Sequence, residues 1–298
     1  MKSLALHLLA ASALAGMAQG AVASATSAGG LGAVTITLVD LDPNDGITPS
    51  IRFATDADGI DGGTVSGELR SWTADGESFR EFRSQGTGPA SLVAAGRDTA
   101  MASAGGSVTG LAGAGFSALA AQGQAGSGAT ARGSYDVSAQ SAWVGFTLSA
   151  NTAVQFSASG WAQGSTSTGG DPATGWDEAG GALVALSAGG PDGGGSIVWD
   201  DDERIATASY TLDGAGNVHG DAQSWSGLLG VSFSNATGAS ADGIFTAEVR
   251  AFGHSAVSAV PEPATGVMLL AGLGLVGAGV RRQRTCRPAM CRTGKESA

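Results

Sequence analysis

Between Leu228 and Phe252 apolar and polar residues alternate, a period of two that only an extended strand can exploit. In LLGVSFSN, Leu229, Val231 and Phe233 fall on one face; in GIFTAEVRAF, Phe245, Ala247, Val249 and Ala251 fall on one face, with Thr246, Glu248 and Arg250 opposite. The connector NATGASAD is rich in turn formers, so the pair predicts a terminal antiparallel hairpin. The same period appears in AVTITLVDLDPNDGITPSIRF, where Val34, Ile36 and Leu38 alternate with Thr35, Thr37 and Val39. DPNDG then supplies a turn, and Ile47 to Phe53 is placed to pair back as a hairpin or a strand-loop-strand unit. It returns where Trp143, Phe146 and Leu148 form one strand, Ala150-Asn151-Thr152 a turn, and Val154 and Phe156 the next strand. Glycine supplies 50 of the 298 residues and strong helix formers are scarce, which also favours strands and turns. The expected fold is all-β, an antiparallel β-sandwich-like body.

Residues 86–133 are dominated by Gly, Ala and Ser. They serve either as a linker dividing the body into two sub-domains or as strands with very small side chains. Val93, Met101, Val108, Leu111, Phe116 and Leu119 recur regularly, which favours strands.

The ends of the chain carry different signals. Lys2, an apolar run from Leu4 to about Ala15, and the small residues before Ser24 or Thr26 form the three-part pattern of a signal peptide spanning residues 1–25, with cleavage after Ala23 or Ala25. All but two of the 26 acidic residues lie between Thr26 and Ser258, whereas that stretch holds 8 arginines and no lysine, a formal charge of −16. Such a body repels phosphate backbones, so nucleic acid is not an expected partner. Cys286 and Cys291 both lie beyond the body, which excludes a disulfide scaffold and a cysteine nucleophile within it.

The acidic stretches divide between binding and structural roles. Asp40, Asp42, Asn44 and Asp45 place hard oxygen ligands at calcium-loop spacing, although the EF-hand positions for glycine and bidentate glutamate hold Asp45 and Ile51. A non-EF-hand Ca²⁺ loop is one expectation; an Asx-rich turn needs fewer assumptions. Asp200-Asp201-Asp202-Glu203 cannot all face one ion if extended, because adjacent strand residues point oppositely, so a solvated acidic sheet edge is expected. His219 and His254 stand near no recognisable nucleophile or metal motif, so no catalytic residues and no cofactor beyond Ca²⁺ are expected, and the protein is expected not to be an enzyme. Of the six tryptophans, Trp161 and Trp176 lie in Gly-rich stretches suited to a sugar platform, but packing in the core, one otherwise built from alanine and valine, or at its edge is the first expectation. The sequon at Asn235 is expected to be incidental.

Residues 260–284 answer where such a body goes. Val260-Pro261-Glu262-Pro263 is followed by 17 uncharged residues, Ala264 to Val280, which as a helix reach roughly 25 Å, enough for a bilayer core. Arg281, Arg282 and Arg284 then form a cytoplasmic stop, leaving residues 285–298 as a cytoplasmic tail. Both prolines keep the motif extended at the membrane face. This tripartite arrangement resembles the PEP-CTERM sorting signal of Gram-negative bacteria. The resemblance implies an exosortase partner, a membrane-embedded transpeptidase-like enzyme, with transient residence in the inner membrane, processing near the motif and delivery to the cell surface or extracellular matrix. It also implies an association with exopolysaccharide and biofilm. FTLSANTAVQFSA and LLGVSFSNATGASADGIFTAEVRAFG are similar to the β-rich bodies that precede such signals, without an activity attached. The expected function is therefore a surface or matrix component, with a secreted carbohydrate-binding module as the alternative and a secreted hydrolase third.

Overall fold

Alternating small and apolar residues become strands almost throughout the part of the chain that the computed structural model describes, residues 23–256 apart from 55–62, 74, 87, 94–101, 110–117, 129–130, 169 and 172–175. The strands are β1 (Ser24–Leu31), β2 (Thr35–Asp40), β3 (Ile51–Phe53), β4 (Gly63–Thr73), β5 (Gly76–Gly86), β6 (Gly88–Val93) and β7 (Ala102–Thr109). They continue as β8 (Ala118–Gly126), β9 (Ala131–Ser141), β10 (Val144–Leu148), β11 (Thr152–Thr166), β12 (Gly170–Asp171) and β13 (Trp176–Asp177). The last are β14 (Ala179–Pro191), β15 (Ile197–Ala208), β16 (Tyr210–Leu212), β17 (Val218–Gly220), β18 (Ala222–Asn235) and β19 (Ala241–His254). No helix occurs among the described residues.

Two antiparallel sheets carry the body. The first runs β18-β11-β1-β8-β7-β6, and β2 continues the line of β1 along β11. The second runs β15-β14-β19-β9-β4-β5, and β10 continues the line of β9 along β19, with β3 outside it. Strands β6, β7 and β8, from the Gly/Ala/Ser-rich stretch, sit in the first sheet beside β1. The buried faces form one apolar cluster, including Leu31, Leu119, Val154 and Leu229 from the first sheet and Val65, Val137, Leu186 and Val249 from the second. Phe156 stacks on Phe245 across it with centroids 4.4 Å apart, and Phe146 packs against Phe156 and Phe233 at 5.4 and 5.9 Å. Tyr135 is buried in the same cluster, its hydroxyl 2.7 Å from Ser27 Oγ; burial raises its proton affinity well above that of an exposed tyrosine.

Away from the phenylalanines the inner faces shrink to glycine and alanine. Ala162, Ala182 and Ala206 form a small second cluster. A side chain added at Gly164 of β11 would place its Cβ 2.1 Å from the carbonyl oxygen of Gly180 in β14, so the backbones of the two sheets touch there. That contact accounts for part of the high glycine content.

The terminal hairpin does not form. β18 pairs with β11 along its whole length, from Thr152↔Asn235 to Ser165↔Ala222, and β19 pairs with β14, β9 and β10. Residues 236–240 therefore cross from one sheet to the other. The same is true of residues 41–50, between β2 and β3, and of 149–151, between β10 and β11. Alternation fixes which face of a strand is buried but not its partner, and an arch turns two buried faces toward each other as a hairpin cannot. The three arches are tied together. Asn151, at φ 48°, donates from Nδ2 to Asp45 Oδ2 (2.8 Å), its carbonyl accepts from Leu41 N (2.8 Å), and its N–H donates to Thr237 O (3.1 Å). Asn235 Nδ2 donates to Ser149 O and Ala239 O at 2.9 and 2.8 Å.

Candidate functional site: outer faces, edges and sorting motif

Of the four residues proposed for calcium, Asp40 ends β2 and Asp42, Asn44 and Asp45 sit in the arch at residues 41–50, and the three aspartates accept from backbone. Asp40 Oδ1 accepts from Asp42 N (3.0 Å), Asp42 Oδ1 from Asn44 N (3.2 Å), and Asp45 Oδ1 from Ile47 N (2.6 Å). These are Asx turns, and the remaining Asp45 oxygen holds Asn151. Among the described residues no group of three or more His, Cys, Asp or Glu side chains is disposed to hold a metal ion.

The acidic run lies on β15, the edge strand of the second sheet. Asp200 and Asp202 face the open side of the sandwich, where Asp202 Oδ2 accepts from Gly230 N (3.0 Å) and Asp200 Oδ2 from Ser232 N (2.7 Å). Those N–H groups belong to β18, the edge of the first sheet, so the carboxylates cover donors that would otherwise invite another strand. Arg204 pairs with Asp202 at 2.7 Å and lies over the ring of Trp225. Between the two sheets' loops, Glu178 is fully buried and its Oε2 accepts from Ser167 N (3.0 Å) and Thr168 N (2.9 Å), a structural carboxylate that no pattern in GWDEAGG announces.

The tryptophans are not the core. Trp143, Trp161 and Trp199 are 68, 43 and 46% exposed, Trp225 is partly buried against the core, and Trp72 lies beneath Arg132 at 5.1 Å. The side chain of Trp176 lies outside the described set. Inner faces built from Ala, Val and Gly leave too thin a layer for indoles, and phenylalanine and leucine fill it instead. Trp143 lies just before β10 rather than within it, and meets Trp199 edge to face with centroids 6.4 Å apart.

The two outer faces differ in charge. On the second sheet, cross-strand pairing gathers Arg70, Arg80, Arg132 and Arg250, four of the body's eight arginines, around Trp72 and Phe252. Glu68 accepts from Arg70 and Arg80, and the Arg70 hydrogen bond holds its carboxyl below the usual carboxylate range. Asp136 pairs with Arg250, whose Nε lies 2.8 Å from Oδ1, and Arg250 covers the Phe252 ring at 5.7 Å. His254 Nε2 lies 3.4 Å from Asp177 Oδ1 beside this group, while His219 sits apart on the β16–β17 ribbon, 3.2 Å from Asp213 Oδ2. Hydrogen bonds from Asn217, then from His219 and Ala215, hold the Asp213 carboxyl well below its ordinary range. Sequence gave no warning of the arginine cluster, because its members come from four strands scattered over 180 residues. On the first sheet, by contrast, the outward positions of β1, β2, β7, β8, β11 and β18 are Ser, Thr, Gln, Ala, Gly, Val, Leu and Trp, with no charged side chain. The sequon residue Asn235 is buried with its amide nitrogen committed, so the folded protein does not offer it for glycosylation.

The described residues thus make an acidic antiparallel sandwich with the β18 edge capped by carboxylates of β15 and with chemically distinct faces. Residues 259–284 match the family model described as the PEP-CTERM protein-sorting motif. The chain therefore carries the signal of an exported protein, sorted by way of the membrane to the cell surface and processed by an exosortase, a membrane enzyme. Pro261, Glu262, Pro263, the apolar segment 264–280, Arg281, Arg282 and Arg284 fall within or beside that match and lie outside the described residues, as does all of the expected signal peptide before Ala23. No curated protein matches the chain.

Proposed function

We propose that the protein is a surface or extracellular-matrix component that, once released by its exosortase, works with exopolysaccharide in a biofilm. The observation that carries this reading is the sorting motif at residues 259–284. The body supports it in three ways. A formal charge of −16 keeps copies apart and soluble outside the cell. Asp200 and Asp202 cap the edge of the first sheet against strand addition, which suits a protein held at high local concentration. Cleavage of the signal peptide after Ala23 leaves β1, a central strand, whole, whereas cleavage after Ala25 would remove its first two residues.

The carbohydrate-binding alternative gains from Trp143, Trp161 and Trp199, all exposed on outer faces where a sugar ring could stack. The two readings merge if the matrix role is exercised by holding glycan. In a strain of the native host unable to make exopolysaccharide, the processed protein should move from the cell-associated matrix to the culture medium. An unchanged distribution would remove the exopolysaccharide link while leaving sorting untouched.

A further inference from the structure

We infer that the outward face of the β18-β11-β1-β8-β7 layer is a docking surface for an uncharged polysaccharide, with Trp161 as its stacking platform; the inference rests on the matrix role proposed above and names its ligand class. The body carries a formal charge of −16, yet every outward side chain described on this layer is neutral. A face meant only for solvation in such a chain would share its charges, as the opposite face does.

Trp161 is held in a specific posture. Its cross-strand neighbour on β1 is Gly30, and a Cβ there would lie 2.7 Å from the indole Nε1 and 3.1 Å from Cε2, so only glycine lets the ring lie down on the sheet. One ring face covers Gly30, and the exposure of 43% belongs to the rest. A flat, half-exposed indole presents a broad apolar surface to the C–H face of a pyranose. Leu228, 71% exposed and diagonal to Trp161 across the β11–β18 pairing, extends the apolar spot. One row further along lies a trough of about 440 Å³, within the roughly 300–1,000 Å³ usual for small-ligand sites. Its lining includes Thr26, Ser103, Gln122, Gln124 and Gln163, and no charged group. Amides and hydroxyls both donate and accept, which is what a polyol requires. With no cation on the face, a uronate polymer would be repelled by the acidic body. A second copy is a poorer occupant: Trp161, Leu228 and Val39 are the large exposed apolar groups of this face, they are set among polar positions, and two bodies at −16 repel.

The test uses the protein as released by its native host, run through native gels containing hydroxyethyl cellulose, dextran or alginate. Retardation by at least one of the two uncharged polymers, absent with alginate and undiminished at about 1 M salt where the Debye length is roughly 3 Å, is the expected result. Trp161→Ala should weaken it about tenfold, as should Gln122→Ala combined with Gln124→Ala, while Leu212→Ala, at an exposed apolar residue of the β16–β17 ribbon, should leave it unchanged. Retardation by alginate alone, by neither uncharged polymer, or unaltered by Trp161→Ala would overturn the inference. So would a concentration-dependent dimer abolished by Trp161→Ala, which would give the face to a second copy. Surface delivery and mass of the Trp161→Ala protein should match the wild type; a protein delivered normally that binds neither polymer sinks this inference alone, whereas one never released sinks the matrix role.

Discussion

Gly164→Val is expected to destabilise the body by at least about 3 kcal/mol, the upper part of the range for overpacking a core, and so to lower Tm by roughly 6–12 °C. The added Cβ would lie 2.1 Å from the Gly180 oxygen and 2.8 Å from its carbonyl carbon, with Gly181 Cα at 3.2 Å. These are backbone atoms of the facing sheet, so no rotamer change relieves the clash. Relief requires β11 and β14 to separate, and β11 is held by β18 on one side and by β1 and β2 on the other. Gly214, on the β16–β17 turn with nothing within 4 Å of an added Cβ, provides the control, and Gly214→Ala should change stability by less than about 0.5 kcal/mol. Thermal unfolding followed by circular dichroism separates the two; equal melting temperatures would mean that the sheets are not in contact at Gly164.

Asn235→Ala should cost roughly 2–4 kcal/mol, the sum expected when buried donors and acceptors lose a shared partner. Asn235 is 2% exposed. Its nitrogen satisfies Ser149 O and Ala239 O, and its Oδ1 accepts from Thr237 N (3.2 Å) and Thr237 Oγ1 (2.7 Å). One side chain therefore joins the arch after β10 to the arch after β18. Asn235→Asp keeps an acceptor for Thr237 and, while protonated, one O–H that can donate to Ser149 O or Ala239 O, so it should fall between wild type and alanine at a pH where the carboxyl is protonated; ionised, it loses both donated bonds and sets a buried charge against two carbonyl oxygens, so it should fall to alanine or below. Denaturant midpoints measured at two pH values would show this; an Asn235→Ala protein as stable as wild type would mean that the arches stand without their tie.

The buried faces were legible in the sequence because they depend on a period of two alone. Leu229, Val231, Phe233, Phe245, Val249 and Ala251, assigned inward by alternation, are all buried. Partnership was not legible: the same alternation serves a hairpin and an arch, and what ties the arch at residues 236–240 is Asn235, one of whose partners, Ser149 O, lies 86 residues away. Which indoles pack at an edge and which stand exposed was not legible for a related reason. Their burial depends on the thickness of the layer between the sheets, which the Gly164–Gly180 contact sets and no local pattern records. The acidic run was read correctly as an edge, since opposite pointing of neighbours is a local property, but its hydrogen bonds to β18 are a tertiary fact. The sorting motif was legible because its proline pair, apolar run and arginines are contiguous.

The most direct test of the account is the intact mass of the protein recovered from the native host's surface or medium, compared with a variant carrying Pro261→Ala, Glu262→Ala and Pro263→Ala. The sorting motif at residues 259–284 predicts a wild-type product that lacks the residues after about Pro263 and a variant that keeps them and stays with the membrane. Retention of Ala264 to Ala298 in both proteins would contradict it, leaving an anchored surface protein that no exosortase processes.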